Sequence, residues 1–192
     1  MIDLSKLRAG DCLLYGRTPF RKSHVGWFFG LVINLKTWSR FCHVEVYAGN
    51  GQAFASRDGK GVGLYPFRSS ELLKVRRPDP EKYLHIRAVR WFETVVHQKY
   101  DFVGLLGFGL NRTKLALQAF FGIKPAAQQF CSEFLTRWYR NAGLHCFNKE
   151  IDADKVAPAQ FDQVPSPQLT TVRGWRVYRH IATSRHPSIH SA

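Results

Sequence analysis

Gln128-Gln129-Phe130-Cys131-Ser132-Glu133-Phe134-Leu135 places a thiol where an amphipathic run begins. Phe130, Phe134, Leu135 and Trp138 recur at helical spacing, and Gly143 supplies a stop signal. The spacing predicts a helix whose first turn carries Cys131. Backbone N–H groups without partners and the positive end of the helix dipole favour a thiolate there. A thiolate is the nucleophile of cysteine hydrolases. The plainer role is a small buried hydrophobe, which is what most free cysteines are. Cys131 alone supports the plainer role, and a second stretch shifts the balance.

That stretch is Phe41-Cys42-His43-Val44-Glu45-Val46-Tyr47-Ala48-Gly49-Asn50-Gly51-Gln52-Ala53-Phe54-Ala55. Residues 41–48 alternate, and Asn50-Gly51 is a hairpin turn signal. His43 therefore opens a strand, with Glu45 on the same face about 6–7 Å along it. A nucleophilic thiol needs a base, and the base needs an orienting group. Cys131, His43 and Glu45 are the candidate catalytic residues. If Asn50-Gly51 form a two-residue turn, Gly49 faces Gln52. The pairing then runs back to put Ser56 opposite Glu45 and Asp58 opposite His43. Asp58 is thus the second choice of orienting group, although Asp58-Gly59 also reads as a plain turn.

With Leu7-Arg8-Ala9-Gly10-Asp11-Cys12-Leu13-Leu14-Tyr15 and Trp38-Ser39-Arg40 ahead of His43, the chain resembles the circularly permuted papain-like hydrolases. These are the YiiX/YaeF-like relatives of NlpC-type cell-wall peptidases and of the lecithin:retinol acyltransferase group. The resemblance covers about residues 5–145. It implies a Gly-Asp strand first, the histidine strand next and the cysteine helix late, which is the order of Asp11, His43 and Cys131 here. The implied fold is α+β, an antiparallel sheet packed against helices with the catalytic cysteine at a helix N-terminus. The acyltransferase branch carries a second histidine twelve residues after the first, where this chain has Ala55.

The chain has 192 residues, 45% of them hydrophobic, which suits one globular domain over residues 1–183 with a disordered tail at 184–192. Its cysteines, 12, 42, 131 and 146, show no zinc-ligand spacing and no disulfide framework, so neither metal nor cofactor is expected. The N-terminus has no apolar h-region, which predicts no signal peptide and synthesis in the cytoplasm, with any export by a non-classical route. The apolar stretches at Trp27–Leu35 and Phe102–Leu110 are too short to span a bilayer. A formal net charge of +14 fits polyanions such as wall polymer or anionic lipid, and equally a basic surface with no fixed partner. No zinc finger, RNP motif or P-loop supports specific nucleic-acid recognition.

Along the chain the pattern predicts a strand at Asp11–Tyr15 and a loop at Arg17–Ser23. A helix follows at Val25–Trp38, with Trp27, Phe28, Leu31, Leu35 and Trp38 as its apolar face. His24 sits at the loop-to-helix junction and is read as a decoy of the His43 motif. After the hairpin come a turn at Asp58–Gly61, a strand at Val62–Tyr65 and a short helix near Ser69–Leu73. Arg77–Pro80 reads as a loop, Leu84–Val89 as a strand and Arg90–Tyr100 as a helix. Phe102–Gly109 is an apolar, glycine-rich stretch suited to helix packing or to acyl-chain contact. Leu115–Phe121 reads as a short helix, Ala157–Gln168 as a surface loop and Val172–His180 as a strand.

Three function classes fit. The first is a cysteine hydrolase cleaving a peptide amide in bacterial cell-wall peptidoglycan. The second is a thiol acyltransferase or lipid esterase. The third is a non-enzymatic phage-tail or virion component.

Overall fold

Two short runs of alternating residues, Cys12–Tyr15 (β1) and His43–Gly49 (β2), pair antiparallel, with Tyr15 opposite His43 and Leu13 opposite Glu45. The structure, a computed structural model, describes residues 4–17, 24–102 and 128–172. Around that pair, β3 (Gln52–Arg57), β4 (Gly61–Pro66), β5 (Leu72–Pro78) and β8 (Leu169–Thr171) complete a six-stranded antiparallel sheet. Its order is β4-β3-β2-β1-β5-β8. Two further short strands, β6 (Lys99–Tyr100) and β7 (Gln128–Gln129), pair in parallel. The α-helices among the described residues are α1 (His24–Thr37), α2 (His85–Val95), α3 (Cys131–Asn141) and α4 (Gln160–Gln163).

Strand alternation sorts the sheet into two faces. Cys12, Leu14, Val44, Val46, Phe54 and Val62 face a core shared with Phe92 of α2 and with Phe134, Leu135 and Trp138 of α3. Leu13, Tyr15, Tyr47, Ala53, Leu72 and Val75 form a second apolar cluster, with Phe67 packed against it. Helix α3 ends in paired bonds, Leu144 N–H to Tyr139 C=O and Gly143 N–H to Arg140 C=O. Gly143 takes φ +87°, the left-handed conformation that this ending needs. The hydroxyl of Tyr139 donates to Gly10 C=O at 2.9 Å, tying the helix to the entry of β1.

The strands at 12–15 and 62–65, the hairpin, the Asp58–Gly61 turn and the helix opened by Cys131 lie where the sequence indicates them. Helix α1 does too, but its marked apolar face points outward: Phe28 is 50%, Leu35 61% and Trp38 92% exposed. Gly30 and Ile33 face inward instead. No helix forms at Ser69–Leu73, and Arg77-Pro78 is not loop; both fall at the ends of β5. Its Lys74, Arg76 and Arg77 mask the alternation, because each is neutralised or bonded. Lys74 pairs with Asp162, Arg77 with Asp11, and Arg76 donates to the carbonyls of Phe161, Asp162, Val164 and Leu169.

The strand expected at Leu84–Val89 is the first half of α2, which begins at His85 and stops before Tyr100. Ala88, Phe92 and Val95 bury at i, i+4 and i+7, whereas Leu84 and Ile86, which suggested alternation, are exposed. The stretch 157–168 is not a surface loop. Phe161 and Val164 are buried in the main core, and α4 lies within it. The strand expected at Val172–His180 is preceded by β8, and beyond Val172 it lies outside the described residues. So do 103–109 of the glycine-rich stretch, the helix at Leu115–Phe121 and the tail at 184–192.

Candidate active site

Cys131 is the first residue of α3, entered from Phe130 in an extended conformation (φ −92°, ψ 172°) with no side-chain cap on the helix. The residue thus belongs to the first turn, whose N–H groups have no partner within the helix. Two bonds fix this turn. Ser132 Oγ donates to Val156 C=O at 2.6 Å, and Phe134 N–H to Phe130 C=O at 2.9 Å. Ahead of it, Gln129 is 2% exposed. Its side-chain amide donates to Gln98 Oε1 at 2.8 Å, and its carbonyl accepts the Ser56 hydroxyl from β3. The approach to Cys131 is therefore bolted to the hairpin that carries the histidine.

His43 opens β2 at the end of the sheet, where its ring can meet a residue of the helix layer. Its Nε2 lies 2.9 Å from Glu45 Oε1, and an ionised carboxylate only accepts, so Nε2 carries the hydrogen. Nδ1 is the ring nitrogen left without the carboxylate, and the nearby Cys131 sulfur favours the charged form of the ring. Burial disfavours the imidazolium, but the neighbouring Cys131 sulfur and the Glu45 carboxylate outweigh it and raise the His43 pKa to about 9. The Cys131 residue is 1% exposed and the His43 side chain 17%, so the imidazole edge is the more accessible part of the pair.

Glu45 is completely buried. Arg57 Nε donates to its Oε1 at 2.8 Å and Arg57 Nη2 to its Oε2 at 3.0 Å, while Arg68 Nη2 donates to Oε1 at 3.0 Å. Burial alone would push the carboxyl up. The His43 bond, reinforced by the two guanidinium groups, holds it far below the usual carboxylate range. Tyr15 closes this corner, its ring 5.7 Å from that of His43 and with the Arg68 guanidinium 5.3 Å from its centroid.

His43 and Glu45 are thus joined by a bond, and Cys131 stands close enough to influence the imidazole. Asp58 is not part of this group. Asn50 and Gly51 do form the turn with positive φ (51° and 70°), and Gly49 does face Gln52. An irregularity between Tyr47 and Gly49 then shifts the register by one, so that Tyr47 pairs with Ala53 and Val46 with Phe54. Asp58 falls in the exposed β3–β4 turn, and Arg57 is the β3 residue that reaches the site. Reading Gly49 as a bulge residue would have pointed to Arg57. Arg68 and Tyr15 had no local signal. Half-buried Tyr100 also stands near Cys131: burial, then the charge of a Cys131 thiolate, raises its phenol well above the ordinary value.

The other thiols are reduced and differ in kind. Burial holds Cys12 well above the ordinary thiol range and pushes Cys42 and Cys146 up to about 12. Among the described residues no three His, Cys, Asp or Glu side chains converge as a metal site would need. Also among them, no helix is long and apolar enough to cross a membrane. No family model, curated protein or solved structure matches the chain.

Proposed function

We propose that the chain is a cysteine-dependent hydrolase in which Cys131, His43 and Glu45 act as nucleophile, acid–base and orienting carboxylate. The observation that carries this reading is the His43 imidazole bonded to the buried Glu45, with Cys131 at a helix start nearby. The Cys131 thiolate adds to a carbonyl carbon, and the Cys131 backbone N–H at the helix start stabilises the oxyanion. The His43 imidazolium gives its proton to the leaving nitrogen as the carbon–nitrogen bond breaks, leaving a thioester. His43 then takes a proton from water, whose oxygen displaces the sulfur and releases a carboxylic acid.

The substrate we favour is a peptide amide of bacterial cell-wall peptidoglycan. Support comes from the net charge of +14, which suits an anionic wall, and from Ala55 standing where the acyltransferase branch has histidine. Purified muropeptides should gain new amino termini with the wild-type protein and none with Cys131→Ala. Release by both proteins equally, or by neither, removes this reading. The exposed apolar stripe of α1 favours a second reading, lipid acyl transfer or ester cleavage through the same thioester. Acyl products from phospholipid, without new amino termini from muropeptides, would select it.

A further inference from the structure

Helix α1 is apolar on two sides. Its inner side, Gly30 and Ile33, packs on the protein: Ile33 clusters with Cys42 and Tyr100, and a Cβ added at Gly30 would lie 3.5 Å from Cys42 Sγ. Cys42 directly precedes His43, so the helix flanks the candidate active site. Its outer side follows the i, i+3, i+7, i+10 positions Phe28, Leu31, Leu35 and Trp38. Three of these rank among the exposed large hydrophobic residues, at 50%, 61% and 92%. Trp38, just past the helix end, stands out with φ 49° at its backbone. A run of large apolar side chains on one outward line is not what scattered surface hydrophobes look like; it is what a surface covered by something else looks like.

Charge identifies what covers it. Between Asp11 and Glu45 the sequence carries no acidic residue and five cations, Arg17, Arg21, Lys22, Lys36 and Arg40. Among these, Arg17 and Arg40 are exposed. Arg17 lies over the Trp27 ring at 5.2 Å, and Arg40 follows Trp38 by two residues. An apolar stripe with cations at its margins and a tryptophan at its end is the chemistry of an interfacial helix. We infer that the outer face of α1 docks on an anionic lipid bilayer. Phe28, Leu35 and Trp38 enter the headgroup–acyl boundary while Arg17 and Arg40 meet the lipid phosphates. The site flanked by α1 is then held against the membrane, whichever acyl substrate it takes. Docking does not depend on Cys131 chemistry.

The full chain should be sedimented with vesicles of phosphatidylcholine containing about one-third phosphatidylglycerol, and with vesicles of phosphatidylcholine alone. Wild type should bind the anionic vesicles, weakly or not at all the neutral ones. The double variant Leu35→Glu/Trp38→Glu should bind at least about 30-fold more weakly, since two large apolar side chains no longer leave water. At about 0.5 M salt, where surface charge is screened, wild type should retain part of its binding and the variant none. Cys131→Ala should bind like wild type, so loss of catalysis and loss of docking are separable. Equal binding by the double variant, or no vesicle binding by wild type, overturns the inference. So does a wild-type dimer in light scattering that the variant dissociates, with no vesicle binding, because the stripe then belongs to a second copy.

Discussion

Arg57 reaches from β3 to grip both oxygens of Glu45, at 2.8 and 3.0 Å, and one of them, Oε1, also receives His43 Nε2. The carboxylate that orients the imidazole is therefore itself oriented, in a planar two-point contact that lysine cannot reproduce. Both partners are buried, so removing Arg57 takes away the two-point partner of Glu45 and leaves only Arg68 and His43 to offset its charge. Arg57→Leu should lower unfolding free energy by about 3–5 kcal/mol, read from urea midpoints at unchanged slope. Arg57→Lys should lose part of that and reduce turnover more than Arg68→Gln, whose parent side chain is 31% exposed.

The orienting role separates Glu45 from Asp58. Glu45→Gln should cut turnover at least about 100-fold, because the amide cannot both hold Nε2–H and favour the imidazolium. Asp58→Asn, in an exposed turn, should leave turnover within about twofold. Steady-state rates on the active substrate of the pair tested above decide it, and the opposite ranking would move the orienting role to the turn.

pH acts through His43 with a definite sign. Its folded-state pKa, about 9, lies above the ordinary 6.5. The stability it contributes is complete below about 6.5 and is lost as pH rises through about 9. Glu45 works oppositely: its depressed pKa contributes stability above its ordinary 4.5, lost as the solution is acidified below that. In Cys131→Ala the sulfur no longer favours the imidazolium, so the His43 titration seen by NMR should move to lower pH. An unmoved titration would mean that the sulfur and the ring do not interact.

Among the four thiols, Cys131 alone adjoins an imidazole and a helix N-terminus, while Cys12, Cys42 and Cys146 are held protonated by burial. Iodoacetamide at neutral pH should alkylate Cys131 at least about tenfold faster than the others in the folded protein. Peptide mapping by mass spectrometry reads the order, and His43→Ala should abolish the advantage.

Gly61 takes φ +77°, and a Cβ there would fall 2.1 Å from the Gln98 carbonyl oxygen, which accepts the Val62 N–H. The neighbouring Gln98 side chain holds Gln129, two residues before the nucleophile. Gly61→Ala should cost at least about 1–3 kcal/mol and slow the alkylation of Cys131 as well. A variant that loses neither would show that this contact does not support the site.

The local features were legible in the sequence because short-range physics sets them. The Cys131 helix start, the Gly143 stop, the Asn50-Gly51 turn and the shared face of His43 and Glu45 each depend on residues within a few positions. The tertiary structure decided what local pattern cannot express. A bulge beside Gly49 shifted the hairpin by one residue and exchanged Asp58 for Arg57 near the site. Strand β5 was hidden by Lys74, Arg76 and Arg77, whose charges are met by residues distant in sequence such as Asp162 and Asp11. Helix α1 was visible as a helix, but which of its apolar sides faces the protein follows from the location of Cys42 and Tyr100. Periodicity reports which residues share a face; only packing against distant residues reports what that face meets.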